Sequence, residues 1–252
     1  LHDALPIYLP HMPIVTGVDA TAHFTGTTMD VDLHKGQSFK ATNVTGGRFS
    51  ILDFNDIVTP AKLSASMTTT AENALTALKK EHLDIGQDLA LDSASAKGAV
   101  KGSMEMEFPL YPEDAGLKQS TFELMQYTIK ADIRNASLQK IRKKWDVDSM
   151  SGTFSGTNKE ILIKGNGNVQ GVASALDVDY NQATSTVTYN LKGNVPVERL
   201  PAFDVSIPEQ VELSGVLGAD VLMKETKAGE EVKANLDLKS ARMAVPDLNW
   251  VK

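Results

Sequence analysis

Ser103-Met104-Glu105-Met106-Glu107-Phe108 is the stretch that decides how this chain folds. Successive side chains of an extended strand point to opposite faces. Met104, Met106 and Phe108 therefore share one face, and Ser103, Glu105 and Glu107 share the other. In a helix the same six residues would be scattered around the axis. A strand that is strictly apolar on one side and strictly polar on the other belongs to an antiparallel sheet with one solvated face.

The same period recurs on either side of this stretch. Val18, Ala20, Ala22 and Phe24 alternate with Asp19, Thr21, His23 and Thr25; beyond Gly26-Thr27, Met29, Val31 and Leu33 alternate with Asp30, Asp32 and His34. Two such runs joined by a tight connection read as a hairpin. Further strands are expected over 40–43, 47–54, 61–67, 98–108, 127–138, 148–155, 159–169, 171–180, 184–193, 211–223 and 231–245. Val187, Tyr189 and Leu191, and then Leu236 and Leu238, fall on the apolar sides of their strands. The expected fold class is all-β and mainly antiparallel: an elongated curved sheet or β-groove with one short docked helix and a weak internal repeat.

The helix is expected over 70–81, where Ala71, Ala74, Leu75 and Leu78 keep the i, i+3, i+4, i+7 spacing. Thr69 with Glu72 reads as its capping box, and Lys79, Lys80 and His82 suit the negative end of its dipole. A helix of about three turns is not stable alone, so its apolar stripe must dock on the sheet. A shorter helix interrupted by Pro201 is expected over 197–203. The repeat rests on Asp132-Ile-Arg-Asn-Ala-Ser-Leu138, which matches Asp237-Leu-Lys-Ser-Ala-Arg-Met243 type for type, each following a strand led by Gly98 or Gly215. It gives approximate units 69–138 and 195–245, with 111–123 as an insertion in the first.

Composition removes whole classes of function. The 252 residues carry a net charge of −7, which lacks the electrostatic footprint of a nucleic-acid binder. With no cysteine there is no thiol chemistry, disulfide framework or thiolate metal site. No apolar run approaches the ~18 residues of a membrane-spanning helix. Gly165-Asn-Gly-Asn-Val-Gln-Gly171 approaches a dinucleotide fingerprint, but β-like sequence follows it where a helix N-terminus would have to face the pyrophosphate. His11, His23, His34 and His82 show no metal-ligand spacing; His23 and His34 could approach each other from neighbouring strands, but no third ligand is evident. Glu105/Glu107 and Asp30/Asp32 are explained as polar-face charge, and Asn43-Val-Thr45 and Asn135-Ala-Ser137 are sequons of a kind common by chance. No catalytic residue, metal or cofactor is expected. The one concentrated basic run, Lys140-Ile-Arg-Lys-Lys-Trp145, offers Lys140, Arg142, Lys143 and Lys144 as contacts for anionic lipid headgroups.

Leu1-His-Asp-Ala-Leu-Pro-Ile7 reads as the translation of a short-read sequencing adapter, CTA CAC GAC GCT CTT CCG ATC. Residues 1–7 are therefore set aside from fold reasoning, with the natural N-terminus expected outside the sequence. The remaining region is 8–252.

Several stretches of that region carry a family resemblance. They are Tyr8-Leu-Pro-His-Met-Pro13, Gly17-Val-Asp-Ala-Thr-Ala-His-Phe24, the strand at 47–53, and the helix leading into Leu83-Asp-Ile-Gly86. The last are Leu236-Asp-Leu238 and the closing Ala244-Val-Pro-Asp-Leu-Asn-Trp-Val-Lys252. Together they resemble the YhdP-type branch of the AsmA-like bacterial envelope proteins, the large chains related to TamB. The insertion at 111–123 and a richer content of Lys and Thr depart from that pattern.

The resemblance implies a periplasmic chain of the bacterial cell envelope, anchored in the inner membrane through a segment outside this sequence. It implies no active site, and a β-groove along which phospholipid moves towards the outer membrane. The partners implied are phospholipid and the two membranes. The groove candidates are Phe24, Met104, Met106, Phe108, Val187, Tyr189, Leu191, Leu236 and Leu238. Hydrating an acyl chain of about sixteen carbons costs on the order of 12 kcal/mol at ~0.8 kcal/mol per methylene, so an apolar trough lowers the barrier without fuel. Flexible methionines such as Met104 and Met106 suit a surface that accepts variable chains. A structural or assembly scaffold, its apolar faces closed into a β-sandwich core, demands the same alternation.

Overall fold

The computed structural model describes residues 15–38, 40, 42–79, 91–141, 145–248 and 250–251. The fold is mainly antiparallel β. The first strands are β1 (Thr16–Phe24), β2 (Met29–Ser38), β3 (Thr42–Ile51), β4 (Pro60–Thr70) and β5 (Lys97–Pro109). They are followed by β6 (Gln126–Ile141), β7 (Trp145–Thr157), β8 (Glu160–Val169), β9 (Val172–Asn181) and β10 (Thr186–Pro196). The last are β11 (Glu212–Thr226), β12 (Gly229–Asp237), β13 (Ala241–Val245) and β14 (Trp250–Val251). In the sheet the strands lie in chain order from β1 to β11, continuing through β13 to β14, while β12 pairs with β11. Order in space that follows order in sequence is the mark of a meander, in which short connections join antiparallel neighbours.

The chain divides into two units. The first comprises Leu1–Gln87, Ala99–Asp132 and Ser155–Asn158; the second comprises Asp88–Gly98, Ile133–Phe154 and Lys159–Lys252.

In the first unit, α1 (Ala71–Leu78) follows β4 directly. Its N-cap is Thr70, whose hydroxyl accepts the Asn73 N–H. The expected capping box between Thr69 and Glu72 does not form: β4 runs on to Thr70, and the Thr69 hydroxyl bonds to that of Thr42 at 2.8 Å. Lys79 is the C-cap, and Lys80 and His82 lie outside the described residues. The insertion at 111–123 contains turns and a single-turn helix, α2 (Thr121–Leu124), closed by a capping box between Ser120 and Glu123.

In the second unit a 3-10 segment, Val197–Phe203, docks on the ends of the strands. Val197 and Leu200 bury themselves against Val172, Val195 and Leu217, with Phe203 and Leu238 packed alongside. Gly165 and Gly167 of the near-fingerprint lie within β8, and Gln170-Gly171 form its hairpin turn to β9 with φ of +51° and +76°. Positive φ at both central residues is the two-residue turn whose twist matches the flanking strands.

Two expected strands come out differently. Of the expected strand 40–43, Lys40 sits in a turn at φ +45°, 42 and 43 begin β3, and 41 lies outside the described residues. The expected strand 231–245 breaks in two: the Asp237 carboxylate accepts the Lys239 N–H, and Ala241 N–H donates to the Leu238 carbonyl.

Candidate functional site

The pairing registers convert alternation along each strand into rows across the strands. In the first unit, Phe24, Met29, Ile51, Ala61 and Phe108 form one row of directly opposed residues from β1 to β5. Ala22, Val31, Phe49, Leu63 and Met106 form the next, and Ala20, Leu33, Gly47, Ala65 and Met104 the third. Every member is apolar or glycine, because a register error of one residue would turn a whole strand inside out.

The second unit repeats the construction over β8 to β12. Ile163, Val178, Tyr189, Met223 and Val232 make one row; Gly165, Leu176, Leu191, Val221 and Ala234 make another. Gly167, Ser174, Gly193, Ala219 and Leu236 follow. Beyond them, Val169 pairs with Val172, and Val172, Val195 and Leu217 meet the 3-10 segment.

These rows locate the sequence candidates. Met106, Phe108, Val187, Tyr189 and Leu191 are buried in the middle strands, and Met104 is partly buried. Leu238 packs against the cluster around Val172 and Leu217. Phe24 on β1 and Leu236 on β12 are exposed, at 68% and 56%. Val232, two rows from Leu236 on the same face of β12, is exposed as well; alternation in Val232-Lys-Ala-Asn-Leu236 was the signal for it. Of the basic run, Lys140 is exposed at φ +55°, its N–H donating to the Asp146 carboxylate. Arg142, Lys143 and Lys144 lie outside the described residues.

The opposite faces are polar and internally paired. Asp32 accepts from Arg48 Nε at 2.6 Å, Lys62 Nζ meets Glu107 Oε1 at 2.6 Å, and the Ser50 hydroxyl donates to Asp30. The guanidinium of Arg48 holds the Asp32 carboxyl below its ordinary value, with the charges of His23 and His34 as lesser contributions. His34 Nε2 contacts the Thr21 hydroxyl at 3.1 Å, whereas His23 is opposite Asp30. Both lie near enough to Asp32 to act on its carboxyl. An open depression of about 540 Å³ over β10 to β12 is bordered by Lys192, Asp220, Asn235, Leu236 and Asp237. Lys192 is bonded to Asp220 across the strands at 3.0 Å, so these charges neutralise each other and do not converge on a ligand.

Among the described residues no group of three or more His, Asp or Glu could hold a metal ion, and no helix is long and apolar enough to cross a membrane. Comparisons with protein-family models, with curated proteins and with solved structures find no match to this chain.

Proposed function

We propose that the chain is a non-enzymatic segment of an AsmA-like, YhdP-type envelope protein that conducts phospholipid along its apolar sheet face. One observation carries the reading. Apolar rows of the middle strands continue, in register, to exposed apolar side chains on β1 and β12, each paired on one side among the described residues: buried Met29 to Phe24, buried Met223 to Val232, and half-buried Ala219 to Leu236. A sheet that only closes a core gains nothing from apolar side chains at its edge, where they invite aggregation. An acyl chain laid over that rim recovers the hydration cost of both surfaces. On this proposal the chain works in the periplasm of the bacterial cell envelope.

A photo-crosslinking residue at Leu236 or Val232, and separately at Lys233 on the opposite face, tests the proposal in lipid-loaded protein. Phospholipid adducts at 236 and 232 but not at 233 are expected; equal labelling of both faces, or no lipid adduct at all, refutes it. The burial of Met106, Phe108, Val187, Tyr189 and Leu191 favours a second reading, an envelope scaffold with a closed core. Capture of an envelope protein at Leu236 in place of lipid would select that reading.

A further inference from the structure

Strand β1 ends the sheet of the first unit. Among the described residues it pairs only with β2, and it is exposed along its length except for half-buried Val18. The unpaired edge of a strand is a template for another strand, and charged side chains or proline ordinarily blunt it. β12, the corresponding edge in the second unit, carries Glu230, Glu231, Lys233 and Asp237. β1 has no lysine, arginine or proline, and its only titratable residues are Asp19 and His23.

The backbone fixes which groups this edge offers. Thr25 N–H donates to the Thr28 carbonyl at 3.0 Å, so Thr25 turns inward to the chain that becomes β2. Inward and outward groups alternate along a strand, and pairing runs without a slip from Ala20 opposite Leu33 to Phe24 opposite Met29. The N–H and C=O groups of Thr21 and His23 therefore serve β2, while those of Ala20, Ala22 and Phe24 point away from it. The slips on either side of Asp19 cancel, since Thr16 to Ala20 and Gln37 to Leu33 each span four steps.

We infer that a second copy of this chain pairs with this edge, β1 against β1, antiparallel about a two-fold axis at Thr21. In that register Ala20 and Ala22 of the second copy exchange backbone hydrogen bonds, and symmetry repeats the exchange. On the apolar face Val18 meets Phe24 of the second copy, and Ala20 meets Ala22. On the polar face Asp19 meets His23 of the second copy, again twice. Opposed pairs of this kind stabilise a sheet, and neighbouring registers lack them. An axis at Ala20 would set Asp19 against Thr21 and Phe24 against Thr16; one at Ala22 would set His23 against Thr21 and Asp19 against Thr25.

The polar surroundings accept the added contact. Within its own copy His23 is opposite Asp30 and near Asp32, and its second ring nitrogen is available for Asp19 of the other copy. Asp19 lies 3.8 Å from Lys35 Nζ, and the Thr21 hydroxyl meets His34 Nε2, so no two acids are forced together across the axis. A two-fold contact uses the same edge on both copies, so it closes as a dimer and does not grow into a filament. The pairing rests on β1 alone and does not need the conduction proposed above, because joining two sheets edge to edge closes neither apolar face.

A chain without cysteine lets single thiols read the register. Residue 21 stands opposite itself at the axis with Cβ atoms about 5 Å apart, so Thr21→Cys should give a disulfide-linked dimer under mild oxidation. His23→Cys should not couple to itself, because the two copies of that residue are about 14 Å apart along the strands, yet it should couple to Asp19→Cys in an equimolar mixture. Ala22→Pro removes an outward N–H that β2 does not use. In sedimentation equilibrium of the full chain it should raise the dimer dissociation constant at least about tenfold, with an unchanged circular dichroism spectrum. Leu236→Lys, on the β12 edge, should dimerise like the parent. A parent chain that sediments as a monomer up to about 1 mM overturns the pairing. So does a Thr21→Cys protein that couples no faster than His23→Cys alone, or a dimer that Leu236→Lys weakens and a folded Ala22→Pro does not. If Ala22→Pro fails to fold, the cysteine variants decide alone.

Discussion

Gly98 lies so close to Ala136 that a Cβ atom added to the glycine would stand 2.6 Å from the alanine Cα. Gly215 meets Ala241 in the same way, its added Cβ falling 3.3 Å from that Cα and 2.6 Å from the Ser240 carbonyl oxygen. Both glycines have positive φ, +111° and +94°. The sequence likeness between 132–138 and 237–243 aligns Ala136 with Ala241. Each glycine thus lets two backbones approach where a side chain would force them apart.

Gly98→Ala should therefore cost about 2–4 kcal/mol, from the strained φ together with a contact to backbone that cannot move aside. Gly215→Ala should fall in the same range, and Gly26→Ala, where the added Cβ meets nothing within 4 Å, should be close to neutral. Urea unfolding midpoints at constant slope measure all three; a Gly98→Ala protein as stable as the parent would contradict the contact.

Burial divides the apolar candidates into two energetic classes. Met106 is 2% exposed opposite Leu63, so Met106→Glu places a carboxylate in an apolar row without a partner and should cost about 3 kcal/mol or more. Leu236→Lys, on the rim, should change stability by no more than about 0.5 kcal/mol. Equal losses for the two substitutions in urea titrations would mean that the rim side chain is also core. A Met106→Glu protein of parental stability would mean that the face opens to solvent.

The helix cap offers a sharper contrast. Thr70→Ala removes the acceptor for the Asn73 N–H and should cost about 1 kcal/mol, while Thr70→Asp, which restores an acceptor and adds favourable charge, should recover most of it. Thermal unfolding followed by circular dichroism reads the difference. If the aspartate variant is no better than the alanine one, Thr70 is not acting as a cap.

Alternation along the strands was legible because each strand has one apolar face, and the registers then follow from keeping those faces together. What the sequence hid was where extended chain stops. Leu236 and Leu238 keep the period of two straight through the break after β12, and only the Asp237 carboxylate turning back to Lys239 interrupts it. The motif Thr69-x-x-Glu72 competes with Thr70-x-x-Asn73 for the cap, and β4 pairing decides between them by directing Thr69 to Thr42. The exposure of Leu52, Phe54 and Ile57 was masked in the same manner, since Leu52 and Phe54 prolong the pattern of β3 by residue type while Asp53 and Asp56 fold the loop. For the site, alternation gave the face of each candidate but not its depth. Depth depends on the place of a strand in the sheet, which separates buried Tyr189 in β10 from exposed Leu236 in β12.

The acid limb of stability should carry a signature of the Asp32–Arg48 pair. The hydrogen bond from Arg48 lowers the Asp32 pKa in the folded chain. The unfolded chain therefore binds its proton first as pH falls, and the stabilisation from the pair is fully present above the unfolded value of about 4. It is lost as pH drops through the lowered folded value. Glu123, held down by the Ser120 N–H and hydroxyl, and Glu231, held down by Lys233, act with the same sign. Asp32→Asn should flatten the decline in unfolding midpoint below about pH 4 while leaving its slope between pH 6 and 8 as in the parent, where none of these carboxyls titrates. Midpoints taken at half-unit steps from pH 2.5 to 8, in low and high salt, check this. A parent and variant that decline in parallel would show that the pair contributes nothing measurable, as many exposed ion pairs do.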